Sequence, residues 1–218
     1  MKVFIVIDVE MCRVYSRPRG YPPKNEIIQI GAVMMDESYE MIDKFSVYVK
    51  PRFGEIDRFI ATLTGISPKT IKGSPDIEEA LRKLLEWIGD NEPVFYSWSA
   101  TDYHQIRNEI AYKCQDKDHF KVLLNRVNWI DYQEKFRKRL GSSTVLNLPE
   151  ALQLVEIDTK GRLHDGLDDA YNTAGLIAKL ETRKDYQTLI ERVRAKEKEQ
   201  EPLTTSLGSL LGEMDLEA

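Results

Sequence analysis

Close to its N-terminus the chain carries five consecutive apolar residues, Val3 to Ile7, all but one of them β-branched. A run this short is a strand rather than a buried helix, and the lack of polar alternation predicts that both of its faces are covered. Asp8 and Glu10 follow directly. A side-chain period of two points them to the same side, so two carboxylates emerge together where a central strand reaches the edge of the core. Paired carboxylates repel unless a cation lies between them, which makes Asp8-x-Glu10 a candidate site for a hard divalent ion such as Mg2+ or Mn2+.

The spacing alone does not separate a ligand pair from an ordinary pair of strand-end acids, because the same pattern recurs at Asp76/Glu78 and Asp215/Glu217. Context distinguishes the three. Asp76 and Glu78 open the amphipathic run Ile77 to Ile88 and suit the first turn of a helix, and Asp215 and Glu217 lie in a polar tail. Only the first pair ends a strongly apolar strand.

Further along, Arg17 to Pro23 is a proline-rich loop, and Glu26 to Met35 and Met41 to Lys50 are a second and third strand joined by a short turn, hence antiparallel. A short helix is expected over Arg58 to Leu63 and a longer one from Ser74-Pro75-Asp76 onward. Pro93 to Trp98 is a fourth strand, parallel to the first through a right-handed crossover, with Ser99 to Asp102 capping the next helix to Lys113. Val127 to Ile130 is a fifth strand, and helices follow over Asp131 to Leu140, from Asn147, over His164 to Leu180 and over Asp185 to Gln200. The expectation is an α/β chain with a central mixed five-stranded sheet flanked by helices. Residues 1–183 form its domain, and 184–218 a charged helix with a flexible tail.

A hydrophobic content of 42% is enough for a proper core, and no apolar run is long enough to span a bilayer. The N-terminus enters a strand without a signal-peptide pattern. Two cysteines, Cys12 and Cys114, provide neither a disulfide scaffold nor zinc-like spacing, so the expected setting is reducing and cytoplasmic. A formal charge of −5 argues against coating duplex nucleic acid through a broad basic face, but not against gripping a few nucleotides at one end. Cations cluster at Arg13, Arg17, Arg19 and Lys24 and again over Lys135 to Arg139, as solvated surface or as phosphate contacts.

Two further elements complete the acidic set. Asp102 is a first-turn helix acid or, if its strand lies beside the first, a ligand at the same sheet edge as Asp8 and Glu10, where open α/β sheets place their sites. His164 and Asp169 stand five residues apart at a helix start, as a surface histidine and a solvated acid or as base and ligand. His104 with Glu109 repeats that spacing, but without matching acidic elements in order.

Asp8-Val-Glu10, Ser-Ala-Thr-Asp102 and His164-Asp-Gly-Leu-Asp-Asp169 occur in the order of the three exonuclease motifs, and the chain resembles the DEDDh 3′-to-5′ exonucleases. Glu26-Ile-Ile-Gln-Ile-Gly-Ala-Val, Leu63-Thr-Gly-Ile and Leu167-Asp-Asp-Ala-x-Asn-Thr-Ala are similar to the branch of the histone-mRNA 3′ exonuclease and its relatives in small-RNA degradation. The resemblance covers residues 1–181. It departs from the branch at Met11-Cys12 and over Ile157 to Arg162.

It implies a ribonuclease H-like three-layer fold and hydrolysis at single-stranded 3′ ends, RNA preferred, releasing nucleoside 5′-monophosphates. Asp8, Glu10, Asp102 and Asp169 would hold two divalent ions, whose charge offsets that of four carboxylates, and His164 would act as general base. Met11 and the Leu63-Thr64-Gly65 turn would border the terminal nucleotide, unless Met11 and Leu63 are simply core. The alternatives are a DNA proofreading or repair exonuclease, and a non-catalytic RNA-binding scaffold that keeps the fold. No membrane partner is expected.

Overall fold

Strand β1 (Lys2–Arg13) is the centre of a five-stranded sheet. β2 (Asn25–Met35) and β3 (Met41–Tyr48) lie on one side of it, β4 (Glu92–Ser97) and β5 (Trp129–Asp131) on the other, in the order β3-β2-β1-β4-β5. The β1–β2 and β2–β3 pairs are antiparallel, as their short turns require, and β1–β4 and β4–β5 are parallel across helical crossovers. The structure is a computed structural model that describes residues 1–183 and 186–200.

The pleat of β1 divides the core in two. Val3, Ile5, Ile7 and Val9 face a layer made by α2 (Ile77–Ile88) and α3 (Ala100–Lys113), against Leu81, Leu84, Ile106 and Ile110. Phe4 and Val6 face the opposite layer, built from α5 (Tyr132–Leu140), α6 (Leu148–Leu154), α7 (Gly166–Glu181) and α8 (Gln187–Gln200). Asp8 and Glu10 continue the second face, beneath α7. A smaller cluster of Cys12, Ile28, Ile60 and Ile66 seats α1 (Arg58–Thr64) beside the end of β1. Burial pushes the Cys12 thiol up to about 12, which suits an inert packing residue.

Caps explain the helix boundaries. Asp76, Ser99 and Asn147 each accept a backbone N–H in the first turn, and Asn147 forms a reciprocal capping box with Glu150. α7 differs from expectation at its start. It begins at Gly166 with Asp165 as cap, and His164 lies outside it in the left-handed region at φ 62°. Between α3 and β5, 3-10 turns and the short α4 (Lys121–Leu124) bury Phe120 and Leu123, an apolar pair without helical periodicity around it. In α8, Leu189 and Val193 are buried in the second core and Arg192 pairs with Glu156 at 2.7 Å. The helix start expected at Asp185 and the tail from residue 203 lie outside the described residues.

Two contacts fix how the layers meet. A buried network joins β2 to α3: Glu26 accepts from Phe53 and Gly54 N–H at 2.8 and 2.7 Å, and Lys113 bridges Glu26 and Glu109. Burial alone would push Glu26 upward, yet Lys113 and those two N–H groups hold it below its ordinary value. The second contact is a backbone crossing. A Cβ on Gly31 would lie 2.1 Å from the Gly166 carbonyl carbon, and one on Gly166 would lie 3.2 Å from Asp8 O. Gly31→Ala is therefore expected to destabilise the protein by about 3 kcal/mol through overpacking against unyielding backbone. Urea unfolding of the wild type and variant measures it; a loss below about 1 kcal/mol would show that α7 can lift away at little cost.

Candidate active site

β1 outruns β4, and the site begins there. Pairing between the two stops at Val6–Tyr96, whereas β1 pairs with β2 as far as Arg13, across a bulge after Glu10. Beyond Val6 the β4 side of β1 has no strand partner. Asp102, in the first turn of α3, takes part of that role by accepting the Val9 N–H through Oδ1 at 3.1 Å. Its carboxylate is thus turned into the sheet edge rather than toward solvent, and Asp102 is buried.

Asp169 is positioned by a loop clipped onto α7. Alternate backbone N–H groups of the segment before the helix are accepted by side chains on its first turns: Lys160 by Asn172 at 2.9 Å, Arg162 by Asp168 at 2.7 Å and His164 by Asp169 Oδ2 at 2.9 Å. Asn172 also donates to Lys160 O at 2.9 Å. Gly161 is at φ 68°, and a Cβ there would meet the Asp168 carboxylate at 2.2 Å. Behind the loop, Gln29 accepts the Gly166 N–H at 3.1 Å and donates to Asp165 at 3.3 Å. The second oxygen of Asp169, Oδ1, is buried without a hydrogen-bond partner.

These pieces enclose a cleft of about 350 Å³ that is lined by Asp8, Glu10, Met11, Asp102, His164 and Asp169, with Trp98 and Asn147 to Pro149 on the far wall. One ligand atom each of Glu10, His164 and Asp169 lies within 4.8 Å of the others. Desolvation, then the neighbouring acids, raise Asp8 well above the carboxylate range. Burial followed by repulsion from Asp169 and Asp102 pushes Glu10 up to about 7, and burial does the same to Asp102 against the Val9 N–H, with Asp131 and Asp169 adding to it. Asp169 is raised as well, chiefly by burial. Crowded carboxylates and an orphaned buried oxygen are what a divalent cation neutralises, so the residues fit such an ion.

Met11 lines the cleft, but Leu63, Thr64 and Gly65 do not. The Thr64 hydroxyl donates to Ile60 O at 2.9 Å and accepts from Ile66 N at 3.1 Å, and Gly65 is the left-handed C-cap of α1. The turn reaches the cleft through Arg162, whose guanidinium lies against Gly65 and donates to Thr62 O and Leu63 O at 2.7 and 3.2 Å. Arg162, Gln29, Asp165, Asp168 and Asn172 were not singled out individually from sequence, although the Glu26 to Val33 and Leu167 to Ala174 motifs contain three of them and the His164 to Asp169 motif contains Asp165. His104 and His119 do not line the cleft.

The profile of the RNase T family, described as exonuclease, matches residues 5–177. ERI1 exoribonuclease 2 of Mus musculus is 32% identical over 204 residues, covering 81% of this chain, but the chain spans only 28% of that protein's length. Among solved structures, the nuclease domain of 3′hExo, a DEDDh family member bound to rAMP, superposes with a TM-score of 0.65 at 22% identity, covering 82% of this chain and 91% of that one. E. coli exonuclease I in complex with a dA16 oligonucleotide has a TM-score of 0.65 at 15% identity, covering 88% and 42%.

The raised carboxylates have a consequence for stability. A carboxylate whose folded pKa exceeds its unfolded value binds its proton more tightly when folded; its stabilising contribution is complete below the unfolded pKa and is lost as pH rises through the folded one. For Glu10 and Asp102 that window runs from about 4 to about 7. In chelator, Tm should therefore fall as pH rises across this range, Asp8→Asn should blunt the fall, and millimolar Mg2+ should raise Tm more at pH 8 than at pH 5. Thermal scans in both media measure this, and a metal-induced shift independent of pH would contradict it.

Proposed function

The chain belongs to the RNase T exonuclease family, within the DEDDh superfamily, and from that premise we propose that it is a metal-dependent 3′-to-5′ exonuclease acting on single-stranded 3′ ends. The observation that carries this reading is the convergence of Asp8, Glu10, Asp102, His164 and Asp169, drawn from β1, α3 and the start of α7, on one cleft. The orphaned Asp169 Oδ1 and the mutual repulsion of the acids support Asp8, Glu10, Asp102 and Asp169 as holders of two divalent ions, Mg2+ or Mn2+. When bound, such ions supply positive charge at the phosphodiester, where negative charge accumulates during hydrolysis.

The chain's own residues do the rest. His164 stands at the mouth of the cleft on a backbone held by Asp169, where its imidazole can take the proton of the attacking water. Water oxygen bonds to phosphorus as the bond to the leaving 3′ oxygen breaks, and that oxygen is protonated. The products are a nucleoside 5′-monophosphate and a strand shortened by one residue. Met11 lines the cleft beside the terminal base, and the Leu63-Thr64-Gly65 turn, which does not itself line the cleft, borders that nucleotide through Arg162.

We favour RNA because of the similarity to ERI1 exoribonuclease 2, and DNA is the second reading because of the likeness to exonuclease I. We assign the catalytic domain to residues 1–183, against which α8 packs through Leu189 and Val193. Among the described residues no helix is long and apolar enough to cross a membrane, and two buried free thiols fit a reducing, cytoplasmic setting.

The test is mononucleotide release from matched end-labelled RNA and DNA single strands with Mg2+, with Mn2+ and with chelator. Asp8→Ala and Asp169→Ala should abolish release while the proteins remain folded, and His164→Ala should slow the chemical step by on the order of a hundredfold while metal binding persists. Release in chelator, or a near-normal rate for Asp8→Ala, would overturn the reading.

A further inference from the structure

The two cation clusters prominent in the sequence have opposite fates in the fold. On α5, Lys135, Arg137, Lys138 and Arg139 all end on the carboxylates of Glu134 or Glu181, at 2.7–3.2 Å. Arg13, Arg17, Arg19 and Lys24, at the end of β1 and on the loop after it, are exposed, and among the described residues none of them forms an ion pair; nor does Arg58 at the start of α1. A chain of net charge −5 thus keeps one face positive while neutralising another.

Two large aromatic residues are exposed on that same face, Tyr15 at 56% and Phe59 at 61%. The Tyr15 hydroxyl donates to Asp57, whose other carboxylate oxygen accepts the Ile60 N–H at 2.8 Å and caps α1. Tyr15 is therefore held at the end of the helix whose outer side carries Phe59 and, one turn on, Leu63. Glu55 N–H donates to Arg13 O at 2.9 Å, which draws the end of β1 to the same place. At the far end of α1, Arg162 reaches the Thr62 and Leu63 carbonyls from the loop that ends in His164. A continuous strip of rings and guanidinium groups thus runs from Arg13 and Tyr15 past Phe59 to Arg162, and opens into the cleft at Met11 and Leu163.

We propose that this strip binds the single-stranded nucleic acid from the second residue 5′ of the one being removed, with bases stacked on Tyr15 and Phe59 and phosphates on Arg13, Arg58 and the loop cations. The proposal rests on the exonuclease reading of the cleft. Charge complementarity and continuity with the cleft select the occupant: unpaired cations suit a polyanion, and exposed ring faces stack on bases of any sequence. The acids on the strip are Glu55 and Asp57, and Asp57 has both oxygens committed to Tyr15 and Ile60. At about 3.3 Å per extended residue, Tyr15 lies about 13 Å beyond Met11, room for a few nucleotides. Base faces and phosphates are common to RNA and DNA, so this strip does not read the sugar.

Two double variants, Tyr15→Ser/Phe59→Ser and Arg13→Gln/Arg58→Gln, test it, with Lys138→Gln on α5 as control. Turnover of a dinucleotide is compared with that of a ten-nucleotide strand, and binding of a fluorescent ten-mer is measured by anisotropy in chelator over a salt series. Each double variant should raise KM and Kd for the ten-mer by roughly tenfold, as expected for lost stacking or phosphate contacts, and leave the dinucleotide within about twofold. The arginine pair should also flatten the logarithmic salt dependence by about 1.4, and Lys138→Gln should change nothing. Unchanged ten-mer binding, or an equal loss on dinucleotide and ten-mer, would overturn the proposal. If the wild type released nothing from either substrate, the exonuclease reading would fail, and the binding series would still decide the fate of the strip.

Discussion

The backbone crossing of Gly31 and Gly166 is the contact on which the rest of the site depends. Neither position leaves room for a side chain, and the atoms a Cβ would meet belong to rigid backbone, including Asp8 O. Three elements are thereby locked together: β1 with its acids, β2 beside it and the first turn of α7 above both. Gln29, two residues before Gly31, completes the lock by accepting from Gly166 and donating to Asp165. Because α7 cannot rise, Asp169 stays over Glu10, and the loop from Lys160 to His164, clipped to Asp168, Asp169 and Asn172, stays at the rim.

That lock holds an arrangement that electrostatics opposes. Asp8, Glu10, Asp102 and Asp169 would each be lower in energy in water, and their raised proton affinities measure the resistance. The hydrogen bonds from Val9 and His164 to Asp102 and Asp169 offset part of the cost, but desolvation outweighs them. His164 adds a left-handed backbone with no glycine to ease it. Two apolar clusters, one on each face of β1, supply the stability against which these costs are set, and protonation at low pH or a bound cation removes the repulsion itself.

Much of this was legible along the chain where the cause is local. Val3 to Ile7 announced a strand covered on both faces, period two set the side on which Asp8 and Glu10 emerge, and Asp76, Ser99 and Asn147 marked helix starts by their capping chemistry. What escaped depends on partners distant in sequence. His164 leaves the helix because its N–H is taken by Asp169 and its loop by Asp168 and Asn172, and no residue type marks that departure. The Leu63 to Gly65 turn is tied to the loop before His164 by Arg162, a hundred positions from Thr62. A Thr-Gly pair cannot reveal that the threonine hydroxyl is already spent on its own helix.

Charge shows the same limit in its sharpest form. Lys135 to Arg139 and Arg13 to Lys24 look alike as strings of letters, yet Glu181, more than forty residues away, neutralises two cations of the first cluster, while the second has no such partner among the described residues. Net charge misleads for a related reason. Glu26 and Glu109 are buried around Lys113, and the four cleft acids face one another rather than solvent. Two divalent cations in the cleft would bring a formal charge of −5 close to neutral. A polyanionic strand would then meet a nearly uncharged molecule with its free arginines gathered beside the cleft, so an acidic composition and a nucleic-acid substrate are compatible once the charges are placed in space.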